Sequence, residues 1–359
     1  MIEVFAVEPT AAQLVGRRLA PGSHEIEVDG RTYGLDGPLG AVEVTALRPG
    51  TTYAVRLDGR DATALTTLTE PPGRLVARFA TVSDLHIGER GFGHWPRLRH
   101  PGTGGQSHPM ICATAALDET VRWGAERLVV KGDLSHHCRR WEYDLLAPLL
   151  QACPVPLVLI PGNHDGGNHH IDDAEACLAA HGLRLHMDVE VVDLPSLRVV
   201  AVNSMVPHRD RGGLLGRWSR IEGALQDARG PCLLATHHQL MTKPVPTYLP
   251  PGILFPHANR FLSRVGAANP ATLVTSGHSH RHRRRRHGSV VVTEVGSVKD
   301  HPGTWAGYLV YEGGIVQVVR RVAAPQAIAW TERTAASVFG VWGRWSPGRL
   351  ADRSFSHTW

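Results

Sequence analysis

Five short segments, each at the end of an apolar run, bring hard or borderline metal ligands into this chain in a fixed order. They are Asp84-Leu85-His86, Gly132-Asp133, Gly162-Asn163-His164-Asp165, His237-His238 and Gly277-His278-Ser279-His280. The runs before them, residues 76–82, 128–130, 157–160, 232–235 and 271–275, are short, apolar and rich in β-branched residues, which reads as buried strands. A buried strand that stops at Gly, Asn, Asp or His leaves polar side chains at the carboxyl edge of a sheet, where α/β folds build their sites. Any one of these segments alone reads as a turn or a cap. Five in succession require a fold that gathers strand ends.

The rest of the pattern agrees with an α/β sheet. Residues 113–127, 143–153 and 218–228 carry helical periodicity, and each precedes one of the strands. After Gly277 the chain turns strand-rich again, through residues 290–295, 308–311 and 315–322. Residues 1–73 read differently, as a small all-β unit. Glu25-Ile26-Glu27-Val28 and Val42-Glu43-Val44 alternate in polarity between Gly/Pro turns, and Pro71-Pro72-Gly73 forms a linker. The stretch from Leu47 through Tyr53 to Val55 resembles the tyrosine-corner segment of fibronectin type III sandwiches. The tail, residues 325–359, holds Trp330, Trp342, Trp345 and Trp359. Aromatics at that density are expected to dock on the main domain or to form a subunit interface through which the chain homo-oligomerises.

Composition narrows the function classes. No apolar run is long enough to span a bilayer, so no membrane partner is expected. Met1-Ile2-Glu3 places an acid where a secretory signal needs bases, so the expected location is cytoplasmic. Five scattered cysteines without a Cys-x-x-Cys pair argue against a disulfide framework and against a thiolate zinc site. The net charge is +5, and Arg281 with Arg283, Arg284, Arg285 and Arg286 accounts for all of it. One local basic patch without a stacking platform does not make a general nucleic-acid surface.

Carboxylate and imidazole ligands without thiolates suit manganese, iron or zinc in a hydrolytic site. Two such ions, about 3.5–4 Å apart, stabilise the entering and leaving oxygens of an in-line displacement. They need a carboxylate to bridge them and a water held as hydroxide. The motifs D-x-H, G-D, G-N-H-D, H-H and G-H-x-H, as they stand here, resemble the calcineurin-like metallophosphoesterase superfamily over residues 76–323. They lie closest to bacterial cyclic-nucleotide phosphodiesterase-like proteins, and the leading β unit is similar to that of purple acid phosphatases. The resemblance implies a four-layer αββα sandwich behind a small fibronectin III-like domain. It implies a dinuclear enzyme that hydrolyses small phosphorylated substrates with a metal-activated hydroxide, diesters in preference to monoesters. Carried over by position, Asp84, His86 and His280 hold the first ion; Asn163, His237 and His278 hold the second; Asp133 bridges. His164 stabilises or protonates the leaving oxygen and Asp165 orients it. Of the His237-His238 pair the first is the expected ligand, although Gln239 follows where the family commonly has Pro. Purple acid phosphatases place Tyr three residues after the bridging Asp; here that residue is His136, so no tyrosinate-bound ferric ion is expected.

Other residues carry weaker expectations. His136, His137, His169 and His170 follow motif residues and are candidates to line the cleft. His94, His100 and His108 belong to a Gly/Pro-rich loop that is a candidate lid. Arg281 and Arg283, beside His280, are candidates to orient a phosphorylated substrate, the alternative being a solvated hairpin. A phosphomonoesterase, or a nuclease using the patch from Arg281 to Arg286, stands as the alternative activity.

Overall fold

Period-two alternation up to Thr66 and strand–helix alternation from Leu75 onward fold into visibly different units. A computed structural model describes residues 1–99, 105–166 and 172–359 of the chain. His100, His169 and His170 lie outside the described residues.

The N-terminal strands are β1 (Ile2–Val7), β2 (Ala12–Val28), β3 (Arg31–Val44), β4 (Thr52–Leu57) and β5 (Arg60–Thr66). They form one five-stranded antiparallel sheet instead of two facing sheets. The long strand β2 makes this possible: its first part pairs β1 and its last three residues pair β4, with an irregularity between Arg17 and Gly22. Leu14, Ile26, Val55 and Leu65 fill the core of the unit. The Tyr53 phenol oxygen accepts the Arg48 backbone N–H at 2.7 Å.

The elements that follow are β6 (Leu75–Val82), the short β7 (Gly91–Phe92) and β8 (Leu98–Arg99), α1 (His108–Arg122), β9 (Leu128–Lys131), α2 (Arg140–Gln151), β10 (Leu157–Ile160), α3 (Ala174–Ala179), β11 (Val189–Leu194), β12 (Leu197–Val202), α4 (Trp218–Gln226), β13 (Cys232–Thr236), α5 (His257–Ala268), β14 (Thr272–Ser276), β15 (Arg283–His287), β16 (Val290–Glu294), β17 (Thr304–Tyr311), β18 (Gly314–Arg321), α6 (Pro325–Thr334), α7 (Val341–Trp345), α8 (Leu350–Arg353) and β19 (Ser354–Thr358). Helix α1 begins at His108 and not at Ala113, where its periodicity suggests. Ser107-His108-Pro109 supplies a proline in the first turn, and Gly124, at positive φ, terminates the helix.

Two six-stranded sheets result, ordered β10-β9-β6-β17-β18-β19 and β11-β12-β13-β14-β16-β15. Their neighbours β6, β9 and β10 are parallel in the first, and β12, β13, β14 and β16 in the second. Each parallel strand is buried on both faces, which is why its sequence reads as an unbroken apolar run. Phe79, Val129 and Ile160 face Val199, Leu233 and Leu273 between the sheets. Val82, Val130 and Leu159 on the other face pack against α1 and α2 through Leu117 and Leu146. Val200, Leu234 and Val274 pack against α4 and α5 through Leu225 and Leu262. The layers are therefore helix, sheet, sheet, helix. Among the described residues no helix is long and apolar enough to cross a membrane.

Candidate metal centre

The parallel strands β6, β9 and β10 of one sheet and β13 and β14 of the other all run out into the motif loops. Side chains from both sheets therefore meet at one edge of the sandwich. Asp84, His86, Asp133, Asn163, His237, His278 and His280 are all buried there. Asp84, His86, Asp133, His278 and His280 all have positive φ, from 47° at His86 to 63° at His278. Non-glycine residues adopt that region at a cost that tends to concentrate at functional sites. Gly132 lets the loops close, because it too has positive φ and a Cβ there would meet the His237 ring at 2.8 Å. Only glycine tolerates both conditions.

The seven residues form interlocking sets. Oδ2 of Asp133 is 3.4 Å from Nε2 of His86 and 3.3 Å from Nε2 of His237. Its Oδ1 accepts the His164 backbone N–H at 2.9 Å. Nε2 of His280 is 3.2 Å from Oδ1 of Asp84, and Nε2 of His237 is 3.1 Å from Oδ1 of Asn163. Three rings are fixed from behind. His237 Nδ1 donates to the Lys131 carbonyl at 2.8 Å and His278 Nε2 to the Pro250 carbonyl at 2.9 Å, while His280 Nδ1 donates to the Asp300 carboxylate at 2.6 Å. A nitrogen committed to an outer acceptor leaves the other ring nitrogen for the centre. His237 is thus turned to Asp133 and Asn163, whereas Nδ1 of its neighbour His238 is engaged with Ser204 Oγ at 2.9 Å.

Electrostatics favour cations here. Burial opposes ionisation of Asp84 and Asp133, but His280 holds Asp84 down at about 2, and His237 with His164 holds Asp133 well below the usual carboxylate range. Burial likewise opposes protonation of His237 and His280. The facing carboxylates win, raising His237 to about 9, chiefly through Asp133, and His280 to about 10, chiefly through Asp300. The side chains by themselves therefore keep protons on imidazoles beside ionised carboxylates, and metal binding would displace such protons. His86 and His278 are the exceptions: burial and then Lys299 push His86 well below 6.5, burial and then His237 lower His278 to about 3, and the buried Nε2 of His86 has no hydrogen-bond partner. Asp84-His86-His280, Asp84-Asp133-His237, His237-His238-His278 and His86-His136-His164 each offer ligand atoms within 4.8 Å of one another. An orphaned buried nitrogen among oxygen and imidazole donors fits a borderline metal such as manganese, iron or zinc.

Five expected residues need separate comment. His164 stands at the cleft, its ring 4.5 Å from that of His86 and stacked on His136 at 5.4 Å. What orients it is the His136 carbonyl, which accepts from His164 Nδ1 at 2.7 Å, and not Asp165. Asp165 points the other way and accepts from the backbone N–H groups of Gly162, Leu134 and Ser135 and from the Ser135 and Tyr143 hydroxyls, all at 2.9–3.1 Å. A short loop with three unpaired N–H donors needs such an acceptor, so Asp165 ties two motif loops together. His136 lines the cleft, and burial lowers it to about 3.

Arg281 and Arg283 do not line the cleft. Arg281 lies over the Trp345 ring at 4.4 Å, near Glu294, and Arg283 begins the edge strand β15. Antiparallel pairing with β16 carries this run away from the site. The pleat sends alternate side chains to opposite faces. Arg285 is thereby turned inward onto Glu294, at 2.8 Å. The loop histidines also separate: His94 lines the cleft, whereas His108 is buried at the start of α1 against Glu89.

Several cleft residues carried no motif. The cleft, about 380 Å³, is walled by Phe92, Tyr248, Trp342 and Lys299 opposite the histidines. Trp342 donates to Asp300 at 3.2 Å, and Trp345 stacks on Tyr248 at 5.9 Å. The Trp-rich tail therefore docks on the fold and forms part of this wall. The Lys299 ammonium pairs with Glu89 at 2.7 Å and stands 3.6 Å from Asp300. A larger groove of about 690 Å³ between the N-terminal sheet and the sandwich is lined by paired charges such as Glu8 with Arg320, and by none of the motif residues.

A double-sheet α/β sandwich with oxygen and imidazole donors at its strand ends defines a metal-dependent phosphoesterase class. Residues 77–282 match the calcineurin-like phosphoesterase family, and the chain belongs to it. It is 25% identical over 170 residues to a probable cyclic nucleotide phosphodiesterase of Synechococcus sp., covering 47% of this chain and 63% of the relative. The chain thus spans less than two thirds of that curated relative's length. Its fold is similar to that of a purple acid phosphatase from yellow lupin (Lupinus luteus) seeds, with 12% identity and a TM-score of 0.51, covering 89% of this chain and 72% of that one.

Proposed function

We propose that this chain hydrolyses phosphoesters with two metal ions, manganese, iron or zinc, and takes diesters in preference to monoesters. The observation that carries the reading is the position of Asp133. One carboxylate oxygen stands nearly equidistant from His86 on one side and His237 on the other, as a bridging ligand must. Asp84, His86 and His280 would hold one ion, and Asn163, His237 and His278 the other. When bound, the pair supplies a water ionised near neutral pH and positive charge beside the phosphoryl oxygens. His164 donates its Nδ1–H to the His136 carbonyl and lines the cleft, so that as an imidazolium it would give its Nε2 proton to a leaving oxygen. Tyr248 and Trp342 exclude water from the opposite side.

The preference for diesters follows the likeness to the Synechococcus relative, a probable cyclic nucleotide phosphodiesterase. Division into residues 1–73, 76–323 and 325–359 follows the change from a single β sheet to the sandwich and then to the tail. The Tyr53–Arg48 bond supports kinship of the first unit with fibronectin III. The test is metal analysis of the purified protein, then parallel assays on an aryl phosphodiester and an aryl phosphomonoester with and without chelator. Two equivalents of metal and chelator-sensitive diester turnover are expected. Chelator-insensitive turnover, or a protein that takes up no metal, would remove the reading.

A further inference from the structure

The mouth of the cleft is framed by three segments, residues 90–99, 241–256 and 336–347. Each contributes lining residues: Phe92, Gly93 and His94 from the first, Tyr248, Leu249 and Pro250 from the second, Ser337, Val338 and Trp342 from the third. The first and third are joined by backbone bonds from Val338 to the His94 carbonyl at 2.9 Å and from Phe339 to the Trp95 carbonyl at 3.1 Å. Tyr248 links the second to the third through its contacts with Trp342 and Trp345.

These short segments hold seven of the thirteen exposed large apolar side chains among the described residues, Trp95, Val245, Leu249, Phe255, Val338, Phe339 and Val341. Exposure is near complete at the tips: 74% at Trp95, 73% at Val245, 76% at Leu249 and 81% at Phe339. Apolar side chains concentrated this way around one opening mark a surface that meets something apolar. The charges of the rim define the partner further. The three segments contain no Asp or Glu, but carry the exposed cations Arg90, Arg97, Arg99, Lys243 and Arg344. None of the five forms an ion pair among the described residues, although the chain elsewhere pairs arginines freely, as in Arg285–Glu294 and Arg320–Glu8.

We infer that this rim docks on an anionic lipid surface, its apolar tips entering the boundary between headgroups and acyl chains while its cations meet the headgroups. The association is superficial: it needs no spanning helix and differs from a bilayer crossing, for which the apolar runs of this sequence are too short. Docked this way, the mouth of the cleft faces the lipid.

The test is flotation of the full chain with phosphatidylcholine vesicles, with and without phosphatidylglycerol. The chain is expected to float with the anionic vesicles and to be partly released by salt, because headgroup charge is screened. The triple variant Trp95→Ser, Val245→Ser, Phe339→Asn should bind at least tenfold more weakly, and so should Arg97→Glu, Lys243→Glu, Arg344→Glu. None of these residues lines the cleft, so both variants should hydrolyse a soluble aryl phosphodiester as the parent does. That assay reports on the proposed activity and flotation on the surface, so the two readings fail separately. A parent that stays unbound, variants that float unchanged, or a patch buried by dimerisation that the triple variant abolishes would each overturn the inference.

Discussion

His280 Nδ1 lies 2.6 Å from Asp300 Oδ2, and the same carboxylate accepts the Trp342 indole N–H at 3.2 Å through its other oxygen. A residue of the C-terminal tail is thereby tied, through one acid, to a ring that faces Asp84. The acceptor keeps the Nδ1 proton on His280 and leaves Nε2 directed at the centre. Asp300→Asn would set an amide N–H against Nδ1 and drive the ring proton to Nε2. Metal affinity is expected to fall roughly 10–100-fold, the usual effect of removing such a partner. Metal titration of the variant checks it, and unchanged affinity would separate Asp300 from the site.

Asp133→Asn keeps the size of the side chain but removes the charge shared between His86 and His237. Turnover of both aryl phosphodiester and monoester should be abolished while circular dichroism stays that of the parent. Full activity in the variant would sink the bridging assignment.

Asp165 and His164 are adjacent but should fail in different ways. Asp165→Ala leaves three buried N–H groups without their acceptor. Each unsatisfied group costs about 1–3 kcal/mol, so the variant should be several kcal/mol less stable and lose activity by unfolding the loops. His164→Ala removes a half-buried ring and should keep the melting transition while lowering kcat by roughly 10²–10⁴. Urea denaturation of the two variants side by side distinguishes these roles.

Legibility follows the same division between local and distant chemistry. The sheet strands can be read from sequence because both faces are buried and each run is apolar from end to end. The strand-end ligands can be read because glycine, carboxylate and imidazole stand close together along the chain. Glu89, Tyr248, Lys299, Asp300 and Trp342 cannot, since each comes from a loop or tail whose place at the cleft depends on how the two sheets meet. The start of α1 is signalled by Ser107-His108-Pro109, and helical periodicity conceals it. The role of Asp165 escapes the sequence because its position beside His164 says nothing about direction: in the tight turn the two side chains diverge. The arginine run is conspicuous by composition, but strand pairing with β16 decides where it points.

Neutralising that run should therefore leave substrate binding alone. Arg281→Ala with Arg283→Ala removes charge from the edge strand and a cation from the Trp345 face, neither on the cleft wall. KM for an aryl phosphodiester and its salt dependence are expected to match those of the parent. Arg285→Ala differs, since it strips the partner from buried Glu294 and should lower stability. A raised KM in the double variant would return these arginines to the substrate.

Acid should weaken the fold through Glu89. Burial opposes its ionisation, yet Lys299 at 2.7 Å and the His108 bond hold its carboxyl below the ordinary value of 4.5. Because the folded-state value is the lower one, its ionised form stabilises the fold fully above about pH 4.5, and that contribution fades as pH falls toward the folded value. Lys299, raised above 10.5 despite its burial, chiefly by Glu89, contributes below that pH and loses its contribution in alkali. The pair is thus fully stabilising across the neutral range. Glu89→Gln leaves the buried ammonium with only the more distant Asp300, so stability at pH 7 should drop by about 3–5 kcal/mol. The fall in stability between about pH 5 and pH 3 should also become shallower, though not flat, because Asp84 and Asp133 are depressed as well. Urea unfolding at each pH, with chelator present so that metal release does not add to the slope, measures both effects. Equal slopes for parent and variant would show that Glu89 is not among the groups acid titrates.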